Sequence, residues 1–291
     1  MVPWFLSDLN ACVLHISRLQ IRLNQTIMNR RKFIHTAAAS AATVGLTQSN
    51  TLQADHHNEA KSPKLLEWRH WQIESASNRA IVDRFLKNAA IPALNKNGIK
   101  PVGVFYPQAK DGEQDHSIYA LVPHQSLESY YNIRRELSGD GSFLENGQEY
   151  LSTPKGSPAY TRIESTLMRP FDGYPDVKTP RTGERIFELR VYESHNEMKA
   201  ALKVEMFNSG EFDIFDRVGL DSVFCGEALS GPGLPNLTYL VAYKNMEERK
   251  EAWARFSKDP QWQVLRKNER FADTVSKIHQ TFLNPAPYSQ I

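Results

Sequence analysis

Phe187-Glu188-Leu189-Arg190-Val191-Tyr192 reads as one β-strand with a charged second face. A near-copy, Leu66-Glu67-Trp68-Arg69-His70-Trp71, lies 121 residues earlier. Side chains alternate faces along a strand, so Glu, Arg and the closing aromatic share one face in each copy. Phe187, Leu189 and Val191 share the other, as do Leu66, Trp68 and His70. Charge on a core strand is costly unless it is paired, so this face requires partners or a ligand.

Working outward, the surrounding elements also recur. Strand 64–73 is followed by Ser77, a natural helix cap, and by an apolar stripe, Ile81, Val82, Phe85, Leu86 and Ala89. Pro92 is expected to kink or end that helix, and Gly98 to close the segment. Val102–Tyr106 and His116–Val122 predict strands around an Asp111-Gly112 turn, Ser126–Leu137 a second helix, 138–158 a long loop and Tyr160–Met168 a fourth strand. The later copy runs in the same order. Ser194-x-x-Glu197 offers a capping box, and Gly219-Leu220 answers Gly98-Ile99. Strands follow at 221–228 and 237–243, then a helix capped by Asn245, a restart at Asp259-Pro260 and a last strand at 274–283.

Each copy is therefore β-α-β-β-α-β, the ferredoxin-like order. The predicted fold class is α+β: two tandem ferredoxin-like repeats, 64–170 and 184–291, forming one barrel-like unit with helices outside. The expected orientation sets Phe187, Leu189 and Val191 under helices and turns Glu188, Arg190 and Tyr192 into the space between the sheets.

The start of the chain reads differently. Arg30-Arg31, the apolar run from Ala37 to Leu46 and the small-residue site at Leu52-Gln53-Ala54 form a twin-arginine export signal over 28–54. Residues 1–27 are read as an upstream extension with Met28 the true start, and 55–63 as a linker. The expectation is an exported, periplasmic protein cleaved after Ala54, with no stable membrane span thereafter. Removing 1–54 leaves 30 basic and 32 acidic residues, so the apparent basic character gives no support for nucleic-acid binding. Cys225 would be the remaining cysteine, a buried inert thiol.

The Phe187–Tyr192 strand, Gly219-Leu220, Leu240-Val241-Ala242-Tyr243, Lys258-Asp259-Pro260-Gln261-Trp262 and the closing Asn284-Pro285-Ala286-Pro287-Tyr288-Ser289 together resemble a NIPSNAP domain. The resemblance covers about 184–290 and extends more weakly to 64–170. It implies membership of the dimeric α/β barrels, a superfamily that also holds small monooxygenases and haem-handling enzymes. It brings no catalytic residue set, because fold does not imply function.

The candidate ligand-binding residues are Glu67, Arg69, Trp71, Glu188, Arg190 and Tyr192. A guanidinium fork pairs with a carboxylate or phosphate, and the aromatics offer a flat wall, so the expected partner is a small anionic or carbonyl-bearing ligand. The competing reading is internal ion pairing that only fixes the barrel. His70, His116, His124, His195 and His279 lack metal-ligand spacing, and no phosphate loop or nucleophile elbow is present. No cofactor or metal is evident. The function expected is binding or conversion of a small polar molecule between the sheets; the alternative is a non-catalytic interaction or assembly module, with homo-oligomerisation open in either case.

Overall fold

The computed structural model describes residues 65–109 and 112–291. The export signal, its cleavage site, the upstream extension, the linker and Asp111 of the expected turn lie outside the described residues. Eight strands close a barrel: β1 (Leu65–Gln72), β2 (Gly103–Pro107), β3 (Ile118–His124), β4 (Arg162–Pro170), β5 (Ile186–Glu193), β6 (Asp221–Ser230), β7 (Asn236–Tyr243) and β8 (Lys277–Pro285). Their order around it is β1-β3-β2-β8-β5-β7-β6-β4. Each half contributes an antiparallel sheet of ferredoxin-like order, β4-β1-β3-β2 and β6-β7-β5-β8. The halves join antiparallel at two seams, β2 with β8 and β4 with β6. Closure removes the free edges that isolated sheets would expose.

The first helix of each half shows how closely the copies correspond. α1 (Ala76–Phe85) passes through a π-helical turn, Leu86–Ala90, into α2 (Ile91–Lys96). The later half repeats this as α6 (Glu197–Met206), a π turn at Phe207–Glu211 and α7 (Phe212–Val218). The offset of 121 thus holds from β1 to the π turn. Pro92 does not end its helix: it sits just beyond the π turn, in the first turn of α2. Wider winding there accommodates a residue without an N–H. Gly219, at φ 79°, ends α7 in the left-handed conformation that glycine adopts without strain.

Several local expectations are corrected. Ser75, not Ser77, caps α1, accepting from the Asn78 backbone. Asn196, not Ser194, caps α6; the Ser194 hydroxyl instead donates to the Thr274 carbonyl. The expected loop at 138–158 contains α4 (Gly141–Asn146) and α5 (Gln148–Leu151), because Asp140 accepts from two backbone N–H groups and starts a new turn. The preceding α3 (Leu127–Ser138) and, in the later half, α8 (Met246–Lys258) and α9 (Pro260–Leu265) agree with the predicted helices.

The strand faces are the main correction. Leu66, Trp68, Phe187, Leu189, Phe224, Leu240 and Leu283 fill the barrel interior. Glu67, Arg69, Trp71, Glu188, Arg190 and Tyr192 therefore point outward, beneath the helices. Arg69 and Arg190 do not approach one another from opposite sheets; each lies under the helical layer of its own half. The physical reason is the supply of partners. A closed barrel core offers only other inward strand residues, whereas helix side chains such as Arg249 and Trp253 reach the outer face and satisfy a buried carboxylate.

The end of the chain crosses between halves. The Ala286 and Gln290 backbone N–H groups donate to Val104 and Val102 carbonyls, and Ser289 and Gln290 side chains accept from Val104 and Val102 N–H groups. Ile291 is fully buried in the barrel core. A Cβ on residue 103 would meet the Phe105 ring at 2.7 Å and the Ile291 side chain at 3.0 Å, so glycine is needed there. No helix among the described residues is long and apolar enough to cross a membrane.

Candidate functional site

The two outer-face triplets occupy equivalent places but make different environments. In the later half, Glu188 is fully buried and accepts from five side chains. Arg190 Nη1 donates at 2.5 Å, Arg249 Nε and Nη2 at 2.7 and 2.9 Å, Trp253 Nε1 at 3.1 Å, Tyr243 Oη at 3.2 Å and Gln280 Nε2 at 3.0 Å. Burial pushes its carboxyl up, but Arg249 and Arg190 outweigh that and hold it below the usual range. The remaining nitrogens of Arg190 are also used. Nε and Nη2 donate to the Tyr192 hydroxyl at 3.1 and 2.9 Å, and Tyr239 Oη donates to the same oxygen at 2.8 Å. The space above is filled by Tyr239, Phe207 and the buried Lys203–Glu211 ion pair (2.9 Å). This half realises the internal-pairing reading.

The earlier half keeps the carboxylate and opens the space. Glu67 is fully buried and accepts from Arg69 Nε (2.7 Å) and Ser165 Oγ (2.7 Å), with His124 Nε2 at 3.5 Å. Burial pushes its carboxyl up, yet His124, Arg69 and Ser165 together bring it down to about 2. Arg69 is partly exposed and, among the described residues, donates no hydrogen bond from its two terminal nitrogens. Above it lies a cavity of about 450 Å³ between the outer sheet face and the helices, bounded by Arg69, Trp71, Ala90, Ala120, Arg134 and Phe143.

Register explains the difference. Ala120 is the cross-strand partner of Arg69, as Tyr239 is of Arg190. Ser165 lies opposite Arg69 where Gln280 lies opposite Arg190. His124 and Tyr243 occupy matching ends of their strands. On the helix, Val82 and Ala90 stand where Lys203 and Glu211 stand in the later half. Counted from the caps Ser126 and Asn245, Arg134 falls in the place of Trp253. Small apolar residues thus replace a tyrosine and an ion pair, and a second guanidinium reaches the rim.

Of the expected site residues, Glu67, Arg69 and Trp71 meet at this cavity, while Glu188, Arg190 and Tyr192 belong to a filled network elsewhere. Ala120, Ser165, His124 and Arg134 were missed. Setting the two copies in register shows Ala120 opposite Arg69 where Tyr239 faces Arg190, a contrast visible in the residue types. His195 is exposed beside a helix start, and Cys225 is buried, its thiol pushed up by that burial.

Residues 187–290 match the NIPSNAP family model. Among solved structures, a proposed monooxygenase from Lactobacillus acidophilus NCFM is similar over 77% of this chain and 94% of its own, at 12% identity and a TM-score of 0.52. An uncharacterised NIPSNAP-like domain protein from Burkholderia xenovorans is similar over 37% of this chain and 90% of its own, at 22% identity and a TM-score of 0.33. A NIPSNAP family protein from Agrobacterium tumefaciens strain C58 is similar over 40% of this chain and 97% of its own, at 16% identity and a TM-score of 0.34. No curated protein gives a significant match. The chain thus has an α+β fold of two ferredoxin-like repeats closed into one eight-stranded barrel, and its residues 187–290 match the NIPSNAP family.

Proposed function

We propose that this protein binds a small molecule carrying an anionic or acceptor oxygen, in the cavity between the N-terminal sheet and its helices. The observation that carries the reading is Arg69: its Nε is fixed by an ionised, buried Glu67 while its terminal nitrogens, in a cavity with apolar walls, lack a protein acceptor among the described residues. A cavity of 450 Å³ falls within the roughly 300–1,000 Å³ of small-molecule sites. Glu67 acts as a positioning residue, since it fixes the fork from one side and leaves the other for the ligand. Arg134 at the rim adds positive potential that favours an anionic partner. The later half, with its fork fully used, serves as the scaffold that closes the barrel. Export through the twin-arginine signal over 28–54 is part of the same proposal, and it rests on the residue pattern at Arg30-Arg31.

Native mass spectrometry of the full chain purified from its own cells tests the site. Wild type should carry a small-molecule adduct that is absent from Glu67→Gln/Arg69→Met, a double variant that removes both charges together and leaves neither stranded. An adduct that persists in the double variant refutes the cavity as the binding place. For export, Arg30→Lys/Arg31→Lys should leave uncleaved precursor in the cytoplasm, and normal export of that variant contradicts the signal.

A further inference from the structure

The later half contains, in its own side chains, what the cavity lacks. Its fork, Arg190, is met by one phenol oxygen and backed by a second: Tyr192 accepts from Nε and Nη2, and the Tyr239 hydroxyl donates to that Tyr192 oxygen. The Tyr239 ring lies across from Arg190 and packs edge-on against Tyr192, with centroids 5.4 Å apart. In the earlier half both hydroxyls are gone. Trp71 stands where Tyr192 stands, and an indole N–H can only donate; its Nε1 reaches the Tyr150 hydroxyl at 3.4 Å. Ala120 stands where Tyr239 stands and offers neither ring nor oxygen. Of the side chains around the fork, the acceptors and the ring are deleted, while the arginine, the carboxylate behind it and the aromatic neighbour are kept.

The wall above has changed in the matching sense. Where the later half holds Lys203 and Glu211, the earlier one holds Val82 and Ala90, so nothing charged fills the body of the cavity from that side. Phe85 and Phe143, packed edge to face at 5.7 Å, form part of its apolar wall. A ligand entering here meets a largely apolar chamber whose polar lining includes two guanidinium groups, Arg69 and Arg134.

We propose that the cavity takes a phenol-like aromatic: a planar ring seated over Ala120, in the place of the Tyr239 ring, with its oxygen on the terminal nitrogens of Arg69, in the place that the neighbouring Tyr192 hydroxyl takes on Arg190. This rests on the reading of the cavity as the ligand site and deepens it to a chemical class. Phenols, phenolates and ring-bound carboxylates belong to that class; straight-chain acids do not.

The test titrates the full chain with three probes of one size: 4-methylphenol, which is the tyrosine side chain as a free molecule, toluene, and 4-methylcyclohexanol. Wild type should bind 4-methylphenol about ten-fold more tightly than toluene, the worth of one hydrogen bond to a charged donor, and several-fold more tightly than 4-methylcyclohexanol, whose hydroxyl can make the same bond but whose puckered ring loses the packing on Phe85 and Phe143. In Glu67→Gln/Arg69→Met the margin over toluene should vanish. Ala120→Tyr should abolish binding of all three by supplying the ring itself, and Ala120→Leu should do the same should the tyrosine variant fail to fold. If 4-methylcyclohexanol binds as tightly as 4-methylphenol, and Ala120→Tyr removes both, the cavity is a ligand site but the aromatic class is wrong. Binding of none of the three overturns the inference. The mass-spectrometric adduct then decides separately whether the cavity holds a ligand of another shape.

Discussion

Replacing Arg190 with Met separates the two uses of the repeated Glu-x-Arg strand. The side chain keeps its bulk but loses one hydrogen bond to Glu188 and two to the Tyr192 hydroxyl. It also loses its place over the Trp253 ring, 4.6 Å from the centroid. Stranding a buried ion costs about 3–5 kcal/mol, but Glu188 is not stranded, because Arg249 still grips both of its oxygens. Because Glu188 keeps Arg249 and Tyr192 keeps Tyr239, the net loss is about that of one hydrogen bond to a charged group, at about 1.5–3 kcal/mol, and about 3 kcal/mol is expected. For a barrel of this size that is a fall of about 6–12 °C in melting temperature. Calorimetric melts at neutral pH give the number, and native mass spectra of the same sample should show the small-molecule adduct unchanged. A melting temperature within about 2 °C of wild type would mean that the network does not hold this half together. Loss of the adduct instead would mean that the ligand sits at Arg190, and the division of labour between the halves would be wrong.

Three further outcomes are expected. Glu67 is held at about 2 against an ordinary 4.5, so it stabilises the fold above pH 4.5 and loses that contribution as pH falls through about 2; the total is about 3 kcal/mol. Urea midpoints followed from pH 5 to pH 2 should therefore fall less in Glu67→Gln than in wild type, and equal slopes contradict the assignment. Ile291→Ala should cost about 2–4 kcal/mol by opening a hole in the barrel core, read as a lower urea midpoint at unchanged slope. The isolated fragment 184–291 exposes Phe187, Leu189 and Leu240 along with two seam strands, so it should dimerise or aggregate in sedimentation experiments; a stable monomer contradicts the shared barrel.

The repeat was legible because the offset of 121 runs unbroken from Leu65 to Ala90 and from Ile186 to Glu211. Which face of the strand lies inside was not. In a barrel covered by helices both faces are buried, so the alternation of Glu188 and Arg190 with Phe187 and Leu189 marks two faces without ranking them. The ranking depends on Arg249, Trp253 and Gln280, which come from a helix and a strand more than 60 residues away in sequence. The cavity was legible in principle and overlooked. The charged residues are the ones that the copies share, whereas the cavity is opened by residues that differ, Ala120 against Tyr239 and Ala90 against Glu211. The α4–α5 segment escaped because its Gly and Ser content suggested a loop, while Asp140 alone supplies enough capping to start a turn.

The crossing of Ala286–Ile291 onto β2 has a consequence for time. The segment that completes the N-terminal half is made about 120 residues after β4, which at about 5–20 residues per second is a wait of roughly 6–24 s. Until then β2 has no partner on its outer side, and the place of Ile291 in the core stands open beside Gly103 and Phe105. The half that carries the cavity between sheet and helices is translated first and finished last. Its sheet gains its last backbone partners only once residue 290 has been made, so β2 stays an open edge through most of synthesis.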